Sequence, residues 1–247
     1  MMVCMGSPGK EEVLASGKPD RWGPIPRADL RHLMKMTDCT GMFQHARYSV
    51  PDPQHGYCID DNARALIAGL LHAELFGAVT PAVPVHRYLM FLSYAYNESA
   101  GAFRNFMSYD RRWLEAVGSP DSQGRAIWAL GLAVSRATDD DLRDLSAELF
   151  TQALAGISDF CDLRSRSFAI LGLEHYLTRY PEGAEASVPA GNLRDRYAGD
   201  LMAAFTEHAS DGWPWCEDRV IYDNAKVCHA LLVAGRSMGR DDMIGQG

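Results

Sequence analysis

Apolar residues recur along this chain in two distinct patterns. Four segments are apolar at almost every position: Asn62 to Phe76, Gly124 to Ser135, Ser167 to Leu177 and Ala225 to Gly235. Three amphipathic segments alternate with them: Val83 to Tyr96, Asp140 to Asp159 and Asn192 to His208. In the second of these, Leu142, Leu145, Leu149 and Leu154 share a stripe, with Arg143, Asp144 and Glu148 elsewhere. A helix that is apolar all round must be covered all round, whereas an amphipathic helix packs one face and wets the other. The alternation therefore predicts an all-α chain of about seven main helices. The apolar ones form an inner layer and the amphipathic ones an outer layer. Consecutive helices then pair as antiparallel hairpins in an α/α solenoid or a closed α/α toroid, because repeats of this size bury their faces only by stacking.

A short repeat marks the start of three inner helices. It reads Asp61-Asn62-Ala63-Arg64, Ser122-Gln123-Gly124-Arg125 and Asp223-Asn224-Ala225-Lys226. Each is an acid or hydroxyl, an amide, a small residue and a base. The first position suits a helix cap, so capping is one expectation for Asp61 and Asp223. The small residue suits a close helix approach.

Long loops precede these starts: Thr37 to Ile59, Gly101 to Pro120 and Ser210 to Tyr222. Loops of this length inside a compact domain are usually functional. All three enter an inner helix at its N-terminus, so the topology predicts that they share one face. They mix acids, rings, amides and bases. That mixture suits sugars, whose C–H faces stack on aromatic rings and whose hydroxyls bond carboxylates and amides. Two carboxyls with different proton affinities would supply the acid and the base of glycoside hydrolysis.

The candidates for acid and base are Asp60, Asp61, Asp110 and Glu217. The candidates for substrate contact are Gln44, His45, Tyr57, Arg64, Trp113, Trp213, Trp215, Asp218 and Asp223. Plainer roles stand beside these. Asp110 can pair with Arg111 or Arg112, Glu217 and Asp218 can form an exposed turn, and Trp213 and Trp215 can cover the end of the layer.

Charge and composition narrow the field. The chain has 247 residues, with 24 Lys and Arg against 32 Asp and Glu, a formal net charge of −8. That balance disfavours nucleic acid and anionic membranes as partners. No apolar run has the 18 or more residues of a membrane span. Residues 1–24 are small and polar, are expected to be a disordered tail, and lack an export-signal pattern. The cytoplasm is the expected compartment. The six cysteines form no CxxC and are expected to be reduced thiols. Cys216, Cys228 and His229 lack the spacing of a zinc site. Phosphate-binding GxGxxG and GxxxxGK[ST] motifs, a GxSxG elbow and HExxH are all missing from the sequence. No metal and no cofactor is implied.

Three blocks carry a family resemblance: TDCTGMFQHARYSVPDPQHGYCIDDNARALI from Thr37, FRNFMSYDRRWLEAVGSPDSQGRAIWALG from Phe103, and DGWPWCEDRVIYDNAKVCHALL from Asp211. In this order they resemble a bacterial helical domain associated with glycosyltransferases, itself similar to the six-hairpin (α/α)6 glycosidases. The resemblance implies a glycosidase-like domain over residues 25–247, acting on an oligosaccharide or glycoside, with a glycosyltransferase as a possible partner. It assigns no acid or base. The family pattern continues beyond the third block, so the expectation is a toroid lacking its C-terminal part. Two alternatives remain open: a non-catalytic sugar-binding or scaffold module, and a sugar isomerase or epimerase. The isomerase would need histidine at the mouth, where His45 and His55 are the loop histidines.

Overall fold

A computed structural model describes residues 28–77, 82–181 and 183–247. The tail expected over residues 1–24 lies outside the described residues, as does Cys4. The chain runs α1 (Arg31–Lys35), β1 (Ala46–Arg47), β2 (Val50–Pro51), β3 (Tyr57–Cys58), α2 (Ile59–Phe76), α3 (Val85–Ala95), β4 (Tyr96–Asn97), β5 (Ala102–Phe103) and β6 (Phe106–Met107). It continues through α4 (Pro120–Arg136), α5 (Asp140–Ala153), α6 (Leu163–Arg179), α7 (Ser187–His208), α8 (Asn224–Met238) and α9 (Asp241–Gln246). The described residues are mostly helical, and the strands are two residues long, all but β4 lying within the long loops.

Each of the seven expected helices is present, and the main differences lie at the ends. Helix α2 begins at Ile59, α4 at Pro120 and α6 at Leu163, all before the apolar pattern starts. Their first turns are polar, so hydrophobic periodicity misses them. Local chemistry sets the starts. The Ser119 side chain accepts from Ser122 N, with Pro120 in the first turn, and Asp162 accepts from Ser165 N. Helix α5 stops at Ala153, and residues 155–157 form a 3-10 turn. There Gly156 faces the Gly101 carbonyl so closely that a Cβ would lie 2.4 Å from its oxygen. The expected α5 stripe also changes: Leu142 and Leu149 are buried, with Ser146, Phe150 and Ala153 beside them, while Leu145 faces solvent.

The apolar helices stand in a row. Helix α2 packs on α4, α4 on α6 and α6 on α8. Helix α3 backs α2, α5 backs α4, and α7 lies against α6 and α8. The central pair is enclosed: α4 is buried without a break from Ser122 to Val134, and α6 from Ser167 to Glu174. The helices at the ends of the row each keep one stripe open. On α2 it is Arg64, Ala68, Leu71 and Leu75, and on α8 it includes Ala225, His229 and Arg236.

Glycine sets the closeness of α4 and α6. A Cβ on Gly131 would lie 2.1 Å from Gly172 O, and one on Gly172 would lie 2.4 Å from Ile127 O. Backbone therefore packs on backbone, and Trp128 and Phe168 stack across the same interface at 6.0 Å and 3°.

Candidate functional site

The three long loops meet on the face formed by the inner-helix N-termini. Strands β3 and β6 pair antiparallel, with Tyr57 opposite Met107, which joins the first loop to the second. Ile59 N donates to Asn105 O at 2.9 Å. The third loop reaches α4, where Tyr222 donates its hydroxyl to Asp121 Oδ1 at 2.8 Å.

The amide of the repeat fastens each loop to its helix. Asn62 Oδ1 accepts from Met42 N at 2.8 Å, and its Nδ2 donates to Met42 O and Cys58 O. Gln123 Oε1 accepts from Phe103 N at 2.8 Å, and its Nε2 donates to Phe103 O at 2.6 Å. A buried side-chain amide thus plays the part of a neighbouring strand for one loop residue. Asn224 Oδ1 accepts from Ile221 N at 3.2 Å in the third copy.

The first position does not cap by its side chain. Cys58 caps α2, its Sγ accepting from Asp61 N at 3.4 Å, and burial pushes the Cys58 thiol up in pKa. Asp223 stands at the start of α8 in the left-handed region, φ 49°, with no side-chain cap bond. Its carboxylate is turned to Arg125 instead.

Arg125 touches all four inner helices. Rising from α4 with its side chain only 6% exposed, it places Nε 2.9 Å from Asp60 Oδ1 of α2 and 2.9 Å from Asp121 Oδ2 of α4. Its Nη2 donates to Asp223 Oδ2 at 2.5 Å, and its guanidinium lies 4.1 Å from the Phe168 ring centroid of α6. Arg64 Nη2 donates to Asp60 Oδ2 at 2.9 Å and to Asp61 Oδ1 at 3.1 Å. Lys226, the base of the third repeat, sits 4.3 Å over the Trp128 ring, and burial lowers its pKa.

Asp60 differs from its neighbours. Arg125 Nε carries one proton, and that proton is aimed at Asp121. Asp60 Oδ1 lies at ion-pair distance from the same nitrogen yet accepts no hydrogen bond, and it is sealed from solvent. Its pKa is raised, chiefly by burial. Arg125 and Arg64 oppose the shift, while Asp61 and Asp121 add to it.

A cavity of about 590 Å³ adjoins this cluster. Asp121, Arg164, Glu217, Asp218 and Tyr222 line it, between the starts of α4 and α6 and the third loop. Arg164 has a side chain only 2% exposed and fixes that loop. Its Nη1 bonds Glu217 Oε2, its Nη2 donates to Asn224 Oδ1 at 2.7 Å and its Nε to Tyr222 O at 3.0 Å. Trp213 Nε1 donates to Glu217 O at 2.6 Å and clasps the loop from outside.

Of the residues proposed from sequence, the fold brings Asp60, Asp61, Arg64 and Asp223 together, and Glu217 and Asp218 line the adjoining cavity. Others stand apart from the cluster. Asp110 forms a local turn, accepting from Ser108 Oγ at 2.5 Å and pairing with Arg112 at 3.0 Å. Tyr57, expected as a sugar platform, is instead a core ring, 1% exposed, whose hydroxyl donates to Asp38 Oδ2 at 2.6 Å. Trp113 is wedged against Phe91 and Tyr94, and Trp215 stands edge-on to Phe205, so the large rings are largely used in packing. Gln44 is tied through its backbone N to Gly56 O, and His45 contacts His55 at 4.4 Å, away from the Arg125 web.

Asp121, Arg125 and Arg164 were not among the candidates. Asp121 stands just before the repeat in α4 and Arg125 is the repeat's base, an acid four residues before a base that forms an i,i+4 pair. Arg164 gave no signal, because α6 opens without the repeat.

Among the described residues no group of three His, Cys, Asp or Glu side chains is arranged to hold a metal ion. Cys39, Cys58, Cys161, Cys216 and Cys228 are free thiols, and burial raises Cys216 to about 11. No described helix is long and apolar enough to cross a membrane. No protein-family model matches the chain, and no curated protein matches it.

Proposed function

We propose that the chain is a carbohydrate-active domain of glycoside-hydrolase type, with Asp60 as the proton donor. One observation carries the reading: a half-buried carboxyl with raised pKa and one sealed, unbonded oxygen stands in the same cluster as Asp121, which also lines an open cavity. Protonated Asp60 would donate to the glycosidic oxygen as the C–O bond breaks, and the leaving sugar departs as an alcohol. Glu217, with one oxygen held by Arg164, has the other available to activate water or to attack the sugar carbon. The proposal includes the six-hairpin toroid. A row of inner helices backed by outer ones supports that architecture, and its loop face carries the site.

Release of reducing sugar from a panel of oligosaccharides tests the reading. Asp60→Asn and Glu217→Gln are each expected to lower turnover by roughly 10²–10⁴-fold, the contribution of a positioned acid or base. Turnover unaffected by both changes would dismiss the assignment.

A second reading, a sugar-binding module serving a glycosyltransferase, has its own support. Asp60, Asp121 and Asp223 all surround one arginine, which holds them as a framework. Calorimetric binding of a glycan that is never cleaved would favour it.

A further inference from the structure

We infer that Asp121 is a positioning residue for Asp60: by taking the only Nε–H of Arg125, it leaves Asp60 as the carboxyl of the cluster that holds a proton. This deepens the acid role given to Asp60, but its first test reads protonation and not turnover.

The geometry limits the choices. Three carboxylates crowd one guanidinium, and the two of its donors that bond carboxylates go to Asp121 and Asp223. Nε–H goes to Asp121 Oδ2 at 2.9 Å, and Nη2 donates to Asp223 Oδ2 at 2.5 Å. Asp60 Oδ2 accepts from Arg64, which leaves Oδ1 buried without a donor. A buried acceptor without a donor is costly, and a proton on that carboxyl removes the cost. Asp121 is held in place by the Tyr222 hydroxyl on its other oxygen, and the helix start fixes its backbone. It therefore competes for Nε from a fixed position.

The charged and titratable groups around Asp60 are few. Helix α2 contributes Asp61, Arg64 and the Cys58 thiol at its cap. Helix α4 contributes Asp121 and Arg125. Helix α8 contributes Asp223 through Arg125, with Lys226 behind it, and α6 presents the uncharged Phe168 ring. Of these, Asp121 is the one that shares a donor nitrogen with Asp60 Oδ1.

The test is a carbon-13 NMR titration of the Asp60 carboxyl in the wild type, Asp121→Ala and Asp223→Ala. Each variant removes one nearby negative charge, but only the first frees Nε–H. The Asp60 midpoint is expected to fall by about one pH unit or more in Asp121→Ala, as an added charge-assisted bond produces, and by clearly less in Asp223→Ala. Equal shifts would reduce the effect to charge counting and overturn the inference, as would an unmoved midpoint in Asp121→Ala. If the alanine variants do not fold, Asp121→Leu and Asp223→Leu, which likewise remove both charge and acceptor, are compared in the same way, with the same order expected. Where turnover is found, the basic limb of the kcat/KM profile should move with the Asp60 midpoint. The expected NMR shifts without cleavage of any glycoside would sink the hydrolase reading and leave this one standing.

Discussion

Arg125 shows how much one side chain can decide. Its charge is buried, and three aspartates depend on it. Removing one partner of a buried ion network leaves uncompensated charge, which costs about 3–5 kcal/mol. Arg125→Met should therefore lose about that much stability at pH 7 in urea denaturation, and less near pH 4, where Asp60, whose pKa is raised by burial, can take up a proton. Equal losses at both pH values would show that packing on Phe168 matters more than charge. The amides of the repeat make a similar case. Gln123→Leu leaves Phe103 N buried without a partner, while Phe103 O keeps the bond from Gly118 N at 2.8 Å, and is expected to cost about 1–3 kcal/mol for the one orphaned group. The sequence displayed the repeat, but its most familiar interpretation, the cap, applied to the wrong residue. Cysteine caps α2, Asp61 pairs with Arg64, and Asp223 turns inward to Arg125. The Asp223 choice depends on a partner from a helix 98 positions away, and local pattern carries no trace of it.

At the level of elements, the alternation of apolar and amphipathic segments was a reliable guide, because burial on all sides leaves a direct mark on composition. It located every inner helix and missed their polar first turns, which are the part that builds the site. It also left the order of neighbours open. Glycine settles the closest contact. Gly131 and Gly172 let α4 and α6 touch backbone to backbone, so Gly131→Ala forces the helices apart and should destabilise by about 1–3 kcal/mol or more, as overpacking does. Gly199 in α7 offers the control, since a Cβ there meets nothing within 4 Å. Gly199→Ala is expected to leave stability unchanged or raise it by up to about 1 kcal/mol through helix propensity. Thermal melts of the two variants side by side decide the matter, and equal effects would refute the packing account.

The whole molecule joins a loop face with raised carboxyl affinity to an enclosed helical centre, and the two respond to pH in opposite ways. The sequence made the layers legible but gave no sign of this opposition, because it depends on burial. His175 of α6 lies against Ser135 Oγ at 3.2 Å, and burial lowers its pKa from 6.5 to about 4, with Arg136 and His229 adding to the shift. The unfolded chain thus binds a proton that the folded one refuses between about pH 6.5 and pH 4. Stability from this group is complete above the upper value and is lost as pH falls toward the lower one, by at most about 3 kcal/mol at 1.36 kcal/mol per unit. His229 is shifted in the same direction by burial and by Lys226. Asp60 works the other way: its folded pKa is raised, so its contribution is present at low pH and is lost as pH rises through that value. Urea denaturation at intervals from pH 4 to pH 7 separates the two. His175→Gln should flatten the acid-side decline, whereas Asp60→Asn should steepen it by removing the offsetting group. A decline that keeps the same slope in His175→Gln would mean that the buried histidine is not what makes the helical centre sensitive to acid.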